Sequence, residues 1–210
     1  MTSLPTAPRR LGILLALLVA IVVACGGEQS ADSSSPLADR VVVIGDSISE
    51  QSADAITEAL ADTSDVVVLA RIGRTFETSQ FSIDVASAEN PSVVVVELGT
   101  NDVWTETPLP DVVEDLDQLV TKFPNACLVM VTVNEQTKNA RSLDGTIYDN
   151  ERAQELNDVL VARADQVVDW NAEANTDPGR YLDSGTIHPT EEGRRLLASL
   201  MARASSACAT

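Results

Sequence analysis

Arg40-Val41-Val42-Val43-Ile44-Gly45-Asp46-Ser47-Ile48-Ser49 is the stretch whose reading decides the fold. It is an unbroken run of β-branched aliphatics that closes on a glycine and then turns polar. A strand with one solvated face would alternate apolar and polar residues. This one does not, so both of its faces are buried, as in a parallel sheet covered by helices.

Working outward, four further runs share this character: Asp65–Ala70, Ser92–Leu98, Ala126–Val133 and Gln166–Trp170. Between them lie amphipathic stretches that predict helices over Glu50–Ala61, Phe76–Ala88, Leu109–Phe123, Asn150–Ala164 and Glu191–Ala204. Strands alternating with helices, joined by right-handed crossovers, place helices on both faces of the sheet. The expected class is therefore α/β, a doubly wound, flavodoxin-like five-stranded parallel sheet. The last helix is well specified, with Thr190 to cap it, Glu191 and Glu192 at its positive end, and Leu196, Leu197, Leu200 and Met201 at helical spacing. The longest stretch without a pattern, Asn134–Tyr148, reads as an active-site loop.

The first residues obey other rules. Arg9 and Arg10 precede the apolar run Leu11–Val23, which ends in Val22-Val23-Ala24-Cys25. As a helix that run would rise only about 20 Å, short of the ~30 Å hydrocarbon core, so a signal sequence is a better reading than an uncleaved span. Val22–Cys25 resembles a bacterial lipobox, which would make Cys25 the lipidated first residue of the mature protein. Ordinary secretory cleavage, leaving Cys25 a stray thiol, is the alternative. The polar residues that follow, through Pro36, suit a flexible tether. The expected organisation is a signal peptide over 1–24, a lipidated tether over 25–38 and one catalytic domain over 39–210, held on the outer face of a membrane.

The formal charge of the 210-residue chain is −18. That disfavours nucleic acid as a partner, and the acids are scattered as on a solvated surface. Lipidation of Cys25 would leave Cys127 and Cys208, a pair able to bridge in an oxidising compartment. A lone histidine and distant cysteines give no familiar metal-ligand spacing, and no phosphate-loop or dinucleotide glycine pattern is present, so no cofactor is expected.

In open parallel sheets the ligand crevice lies beyond the carboxyl ends of the strands. The polar residues collect there: Asp46, Ser47 and Ser49 after the first strand, Arg71-Ile72-Gly73-Arg74-Thr75 after the second, Gly99-Thr100-Asn101-Asp102 after the third, and Asp183 and His188 in the last loop. A serine between strand and helix can present a hydroxyl to the crevice, although a turn with a helix cap is the commoner use of Gly-Asp-Ser. A serine nucleophile needs a base, and His188 is the one histidine. Trp104 and Arg74 are candidate pocket residues or ordinary surface, and Asp169-Trp170 reads as packing and a turn.

Taken in order, Gly45-Asp46-Ser47-Ile48, Gly73, Gly99-Thr100-Asn101-Asp102, and Asp183 with His188-Pro189-Thr190 resemble the motif blocks of the SGNH, or GDSL-type, hydrolases over roughly 40–204. The resemblance implies the SGNH hydrolase fold, with Ser47 as nucleophile and His188 as general base and acid. It also implies an oxyanion hole built from the Ser47 and Gly73 amides and the Asn101 side chain. The family's acid usually stands three residues before the histidine, where this chain has Gly185. The nearest upstream carboxylate is Asp183. Either Asp183 reaches the ring through an outward bulge of Ser184-Gly185-Thr186, or a backbone carbonyl orients the ring and leaves a Ser-His dyad. The expected activity is hydrolysis of an ester on a small molecule or glycan outside the cell. Acyl transfer to envelope glycans and a catalytically silent binding module are the alternatives.

Overall fold

The structure, a computed structural model, describes residues 40–61, 65–137, 147–183 and 187–208. Five parallel strands form one sheet in the order β2-β1-β3-β4-β5, with β1 at Arg40–Gly45, β2 at Asp65–Ala70, β3 at Val93–Glu97, β4 at Cys127–Val131 and β5 at Gln166–Val168. The central strands β1 and β3 are buried almost throughout, whereas the edge strand β2 is only half-buried. Continuous valine runs thus mark the middle of the sheet, as the sequence implies.

The helices are α1 (Ser47–Leu60), α2 (Gln80–Ala88, entered through a 3-10 turn at Glu77–Ser79), α3 (Thr100–Trp104), α4 (Leu109–Lys122), α5 (Asn150–Val161), α6 (Trp170–Thr176), α7 (Pro178–Tyr181) and α8 (Glu191–Ala207). α1 packs on α8, and α2 packs on α4. The chain leaves β1 toward β2 on one side and continues through β3, β4 and β5 on the other, so the winding reverses between β1 and β3. That reversal opens a crevice at the carboxyl ends of these two strands.

Three boundaries differ from expectation in ways that matter to the site. α1 begins at Ser47 and not at Glu50, because the Asp46 carboxylate accepts the Ile48 N–H at 2.8 Å and caps the helix three residues early. The third strand stops at Glu97, and the short helix α3 starts immediately after Gly99. The last strand ends at Val168, because Asp169 caps α6 by accepting the Ala172 N–H at 3.0 Å. Trp170, 1 % exposed, is a core residue, so Asp169-Trp170 serves a turn and packing.

Cys127 and Cys208 form a disulfide that ties the start of β4 to the residue following α8, with Cα atoms 5.8 Å apart. The predicted signal segment, Cys25 and the tether lie outside the described residues, as do Gly185 and most of the loop expected over Asn134–Tyr148. Among the described residues no helix is long and apolar enough to cross a membrane.

Candidate active site

Ser47 is the first residue of α1, directly beyond the carboxyl end of β1, and His188 lies in the loop between α7 and α8. The two meet across the crevice, with Ser47 Oγ 3.0 Å from His188 Nε2. That is hydrogen-bond distance for a hydroxyl and its base.

The position of His188 is set by its neighbours. Leu182 and Pro189 form an isolated antiparallel bridge that closes the loop, and inside it the Asp183 N–H donates to the His188 carbonyl at 2.9 Å. Beyond the loop, the Thr190 hydroxyl accepts the Gly193 N–H at 3.1 Å and donates to the Arg180 carbonyl at 2.6 Å. Gly193 is required there, because a Cβ would fall 2.1 Å from the Tyr181 carbonyl oxygen. α8 is therefore pressed against α7, and the histidine is carried on this seam.

Half-burial of the imidazole pushes its pKa below the ordinary histidine value, against an opposing pull from the Asp183 carboxylate and with help from Arg194. Asp183 is exposed, adjacent to His188 through the backbone, and acts on its charge.

The three residues expected to face an oxyanion also gather here. Gly73 adopts φ +79°, a left-handed conformation that favours glycine, and a Cβ built on it would meet nothing within 4 Å. Glycine is needed for backbone conformation, in a loop that stands open to solvent. The backbone N–H groups of Ser47 and Gly73 have no hydrogen-bond partner among the described residues, which leaves both available to a ligand. Asn101 is engaged: its amide nitrogen donates to Asp46 Oδ2 at 2.9 Å and to the Arg74 carbonyl at 3.0 Å. Through these bonds it locks the turn after β1 to the loop after β2. Both its protons are occupied, so donation to a substrate oxygen would be shared with or exchanged for the bond to Arg74.

The two candidate pocket residues are held by protein contacts. The Arg74 guanidinium bonds to the Ser82 hydroxyl on α2. Trp104 is half-buried and stacks edge-to-face on Tyr148, with ring centroids 5.4 Å apart.

The floor of the crevice holds carboxyls to which the motif reading assigned no role. Asp46 is fully buried and Glu97 is 3 % exposed. Glu97 Oε2 accepts the Ser49 N–H at 3.0 Å and the Ser49 hydroxyl at 2.8 Å. Asp102 accepts the Phe76 N–H. Burial raises all three, Asp46 and Asp102 to about 7. The signal for Glu97 was present in the sequence as a glutamate closing an all-valine strand. Among the described residues no group of three or more His, Cys, Asp or Glu side chains is arranged to hold a metal ion.

A family model described as GDSL-like lipase/acylhydrolase matches residues 43–196. Comparison with curated proteins gives no significant match. Among solved structures the chain is similar to a lipase/acylhydrolase from Enterococcus faecalis, at 21 % identity and TM-score 0.66 over 78 % of this chain and 94 % of that one. It is similar to the C-terminal catalytic domain of a peptidoglycan O-acetyltransferase A from Streptococcus pneumoniae, at 21 % identity and TM-score 0.60 over 82 % and 96 %. It is also similar to the psychrotrophic esterase EstA from Pseudoalteromonas sp., at 15 % identity and TM-score 0.63 over 80 % and 97 %.

Proposed function

Since the chain belongs to the GDSL-like lipase/acylhydrolase family and is an ester-hydrolysing enzyme, we propose that it works by acyl transfer through Ser47 with His188 as base. The observation that carries this reading is the 3.0 Å contact between Ser47 Oγ and His188 Nε2. Neutral His188 takes the hydroxyl proton as Oγ bonds to the acyl carbon. The carbonyl oxygen gathers negative charge and is met by the Ser47 and Gly73 N–H groups and the Asn101 amide. His188 then returns the proton to the leaving alkoxide. Water repeats the sequence in reverse, yielding the free acid and the serine hydroxyl.

Asp183 is the acid we assign to His188. It adjoins the histidine through a 2.9 Å backbone bond, and its charge favours the imidazolium that forms during attack. Membership in a family of ester-hydrolysing enzymes argues against a silent binding module.

Location and substrate follow from the first residues. Arg9, Arg10, the apolar run to Val23 and Cys25 support export and lipid anchoring at the outer face of the membrane. The substrate is then an ester met outside the cell, on a small molecule or an envelope glycan. A second reading has a sugar hydroxyl in place of water as acceptor. It draws on the fold shared with the peptidoglycan O-acetyltransferase domain, since the same acyl-enzyme serves both outcomes.

An ester panel of short to long acyl chains together with acetylated glycans, run on the wild type and Ser47→Ala, tests the proposal. Turnover of at least one ester by the wild type and its loss in the variant is the expected result. Equal turnover in both proteins would overturn it. Product that forms only when a sugar acceptor is added would select transfer over hydrolysis.

A further inference from the structure

Glu97 ends β3 directly across from Gly45, the last residue of β1. Glycine at 45 makes room for what lies beside it: a Cβ there would sit 2.4 Å from Ser49 Oγ and 3.2 Å from Glu97 Oε2. Into that space Glu97 sends a carboxyl that accepts the Ser49 N–H, the Ser49 hydroxyl and, at 3.4 Å, the Asp46 N–H. Asp46 in turn accepts the Ile48 N–H on one oxygen and the Asn101 amide on the other. Two buried carboxyls thus bracket Ser47: Glu97 holds the residue before it and the residue two after it, and Asp46 holds the residue directly after it.

The groups that act on this pair from neighbouring elements bring no compensating charge. Asp102 of α3 acts on Asp46, and the Tyr148 phenol, just ahead of α5, lies near both acids. No ion pair to either acid occurs among the described residues. Two neighbouring carboxylates in a dry floor without a cation cannot both stay charged at little cost. Burial raises both, Asp46 to about 7, and the Asp46 charge raises Glu97 further, while hydrogen bonding with Glu97 works against the rise at Asp46.

We propose that Asp46 and Glu97 share one proton and act as a positioning pair for the nucleophile, holding the Asp46–Ser49 turn and Asn101 in place while the proton is present. Loss of the proton sets two anions against each other beneath Ser47 and loosens its alignment with His188. This rests on the reading of Ser47 as nucleophile.

Glu97→Gln separates the proton from the shape. The amide oxygen can still accept from Ser49 and Asp46, while the amide nitrogen donates permanently to the Asp46 carboxylate. The first measurement is the Tm of the whole protein from about pH 5 to about pH 9, which needs no substrate. The folded pair keeps protons that the unfolded chain releases near pH 4, so stability present at low pH is lost as pH rises through about 7, where Asp46 ionises, and on through the raised range of Glu97. We expect a fall in wild-type Tm over this window and a smaller fall in Glu97→Gln.

The second measurement is the rate of fluorophosphonate labelling at Ser47. Whatever the absolute rates, the ratio of the rate at about pH 9 to that at about pH 6 should be at least about threefold higher in Glu97→Gln than in wild type. If Glu97→Gln does not fold, Asp46→Asn removes the other half of the pair and should flatten the same profiles. A folded variant that tracks the wild type in both profiles overturns the proposal. Failure of Ser47 to label in the wild type would instead remove the nucleophile assignment, while the Tm profile still decides whether the proton is shared.

Discussion

Ser47 Oγ and His188 Nε2 stand 3.0 Å apart although 141 positions separate them in the chain. One comes from the first turn after β1, the other from the loop before the last helix. Only the doubled-back path of the sheet, with α8 returning to pack on α1, brings them together. Several consequences of this arrangement can be measured.

His188 must be neutral to accept a proton, and burial holds its pKa below the ordinary value. The acid limb of kcat/KM should therefore fall below about pH 6.5. Removing the Asp183 charge lowers the pKa further, so Asp183→Asn should move that limb to lower pH and cut kcat about 100-fold or more. Arg194→Met removes a positive charge and should move the limb upward. Near-normal turnover in Asp183→Asn would exclude Asp183 as the acid and leave a Ser-His dyad.

Asn101 is both a candidate oxyanion donor and the bond that joins Asp46 to the Arg74 carbonyl. Asn101→Ala should lower kcat by a factor corresponding to about 3 kcal/mol, with KM changed much less. A rise in KM alone would show that the amide serves substrate binding and not the transition state.

Gly193→Ala would thrust a methyl group to 2.1 Å from the Tyr181 carbonyl oxygen. We expect about 1–3 kcal/mol of destabilisation, together with reduced kcat, because the displaced seam between α7 and α8 carries His188. Circular dichroism melts and turnover on the same sample check both effects.

The disulfide closes a span of 81 residues far from the nucleophile. Cys127→Ser/Cys208→Ser should lower stability by about 4 kcal/mol, about 10 °C in Tm, and leave activity at low temperature intact. A Tm unchanged by the double substitution would show that packing of α8 alone holds the C-terminus.

Much of this architecture was legible in the sequence because burial on both faces leaves a plain mark. Arg40–Gly45 and Asp65–Ala70 appear with the bounds that their apolar runs suggest, and the Thr190 cap fixed the start of α8. Short elements were hidden. Helices α3 and α7 are too brief to show a period, and Asp169 ends β5 by capping a helix that its composition does not announce. The start of α1 was missed for a similar reason, since Ser47, Ile48 and Ser49 carry no helical pattern until the Asp46 cap is known. Motif order placed Ser47, Gly73, Asn101 and His188 at one sheet edge. Glu97 escaped because it lies in a strand, and only its register with Gly45 and the bonds its carboxyl accepts from Ser49 show that it reaches the nucleophile's turn.

The assignment of Ser47 as a nucleophile activated by His188 is tested most directly by mapping a fluorophosphonate adduct in the folded protein by mass spectrometry. A single adduct on Ser47 is expected, absent in Ser47→Ala and formed about 100-fold or more slowly in His188→Ala. An adduct on another residue, or labelling undiminished in Ser47→Ala, would contradict it.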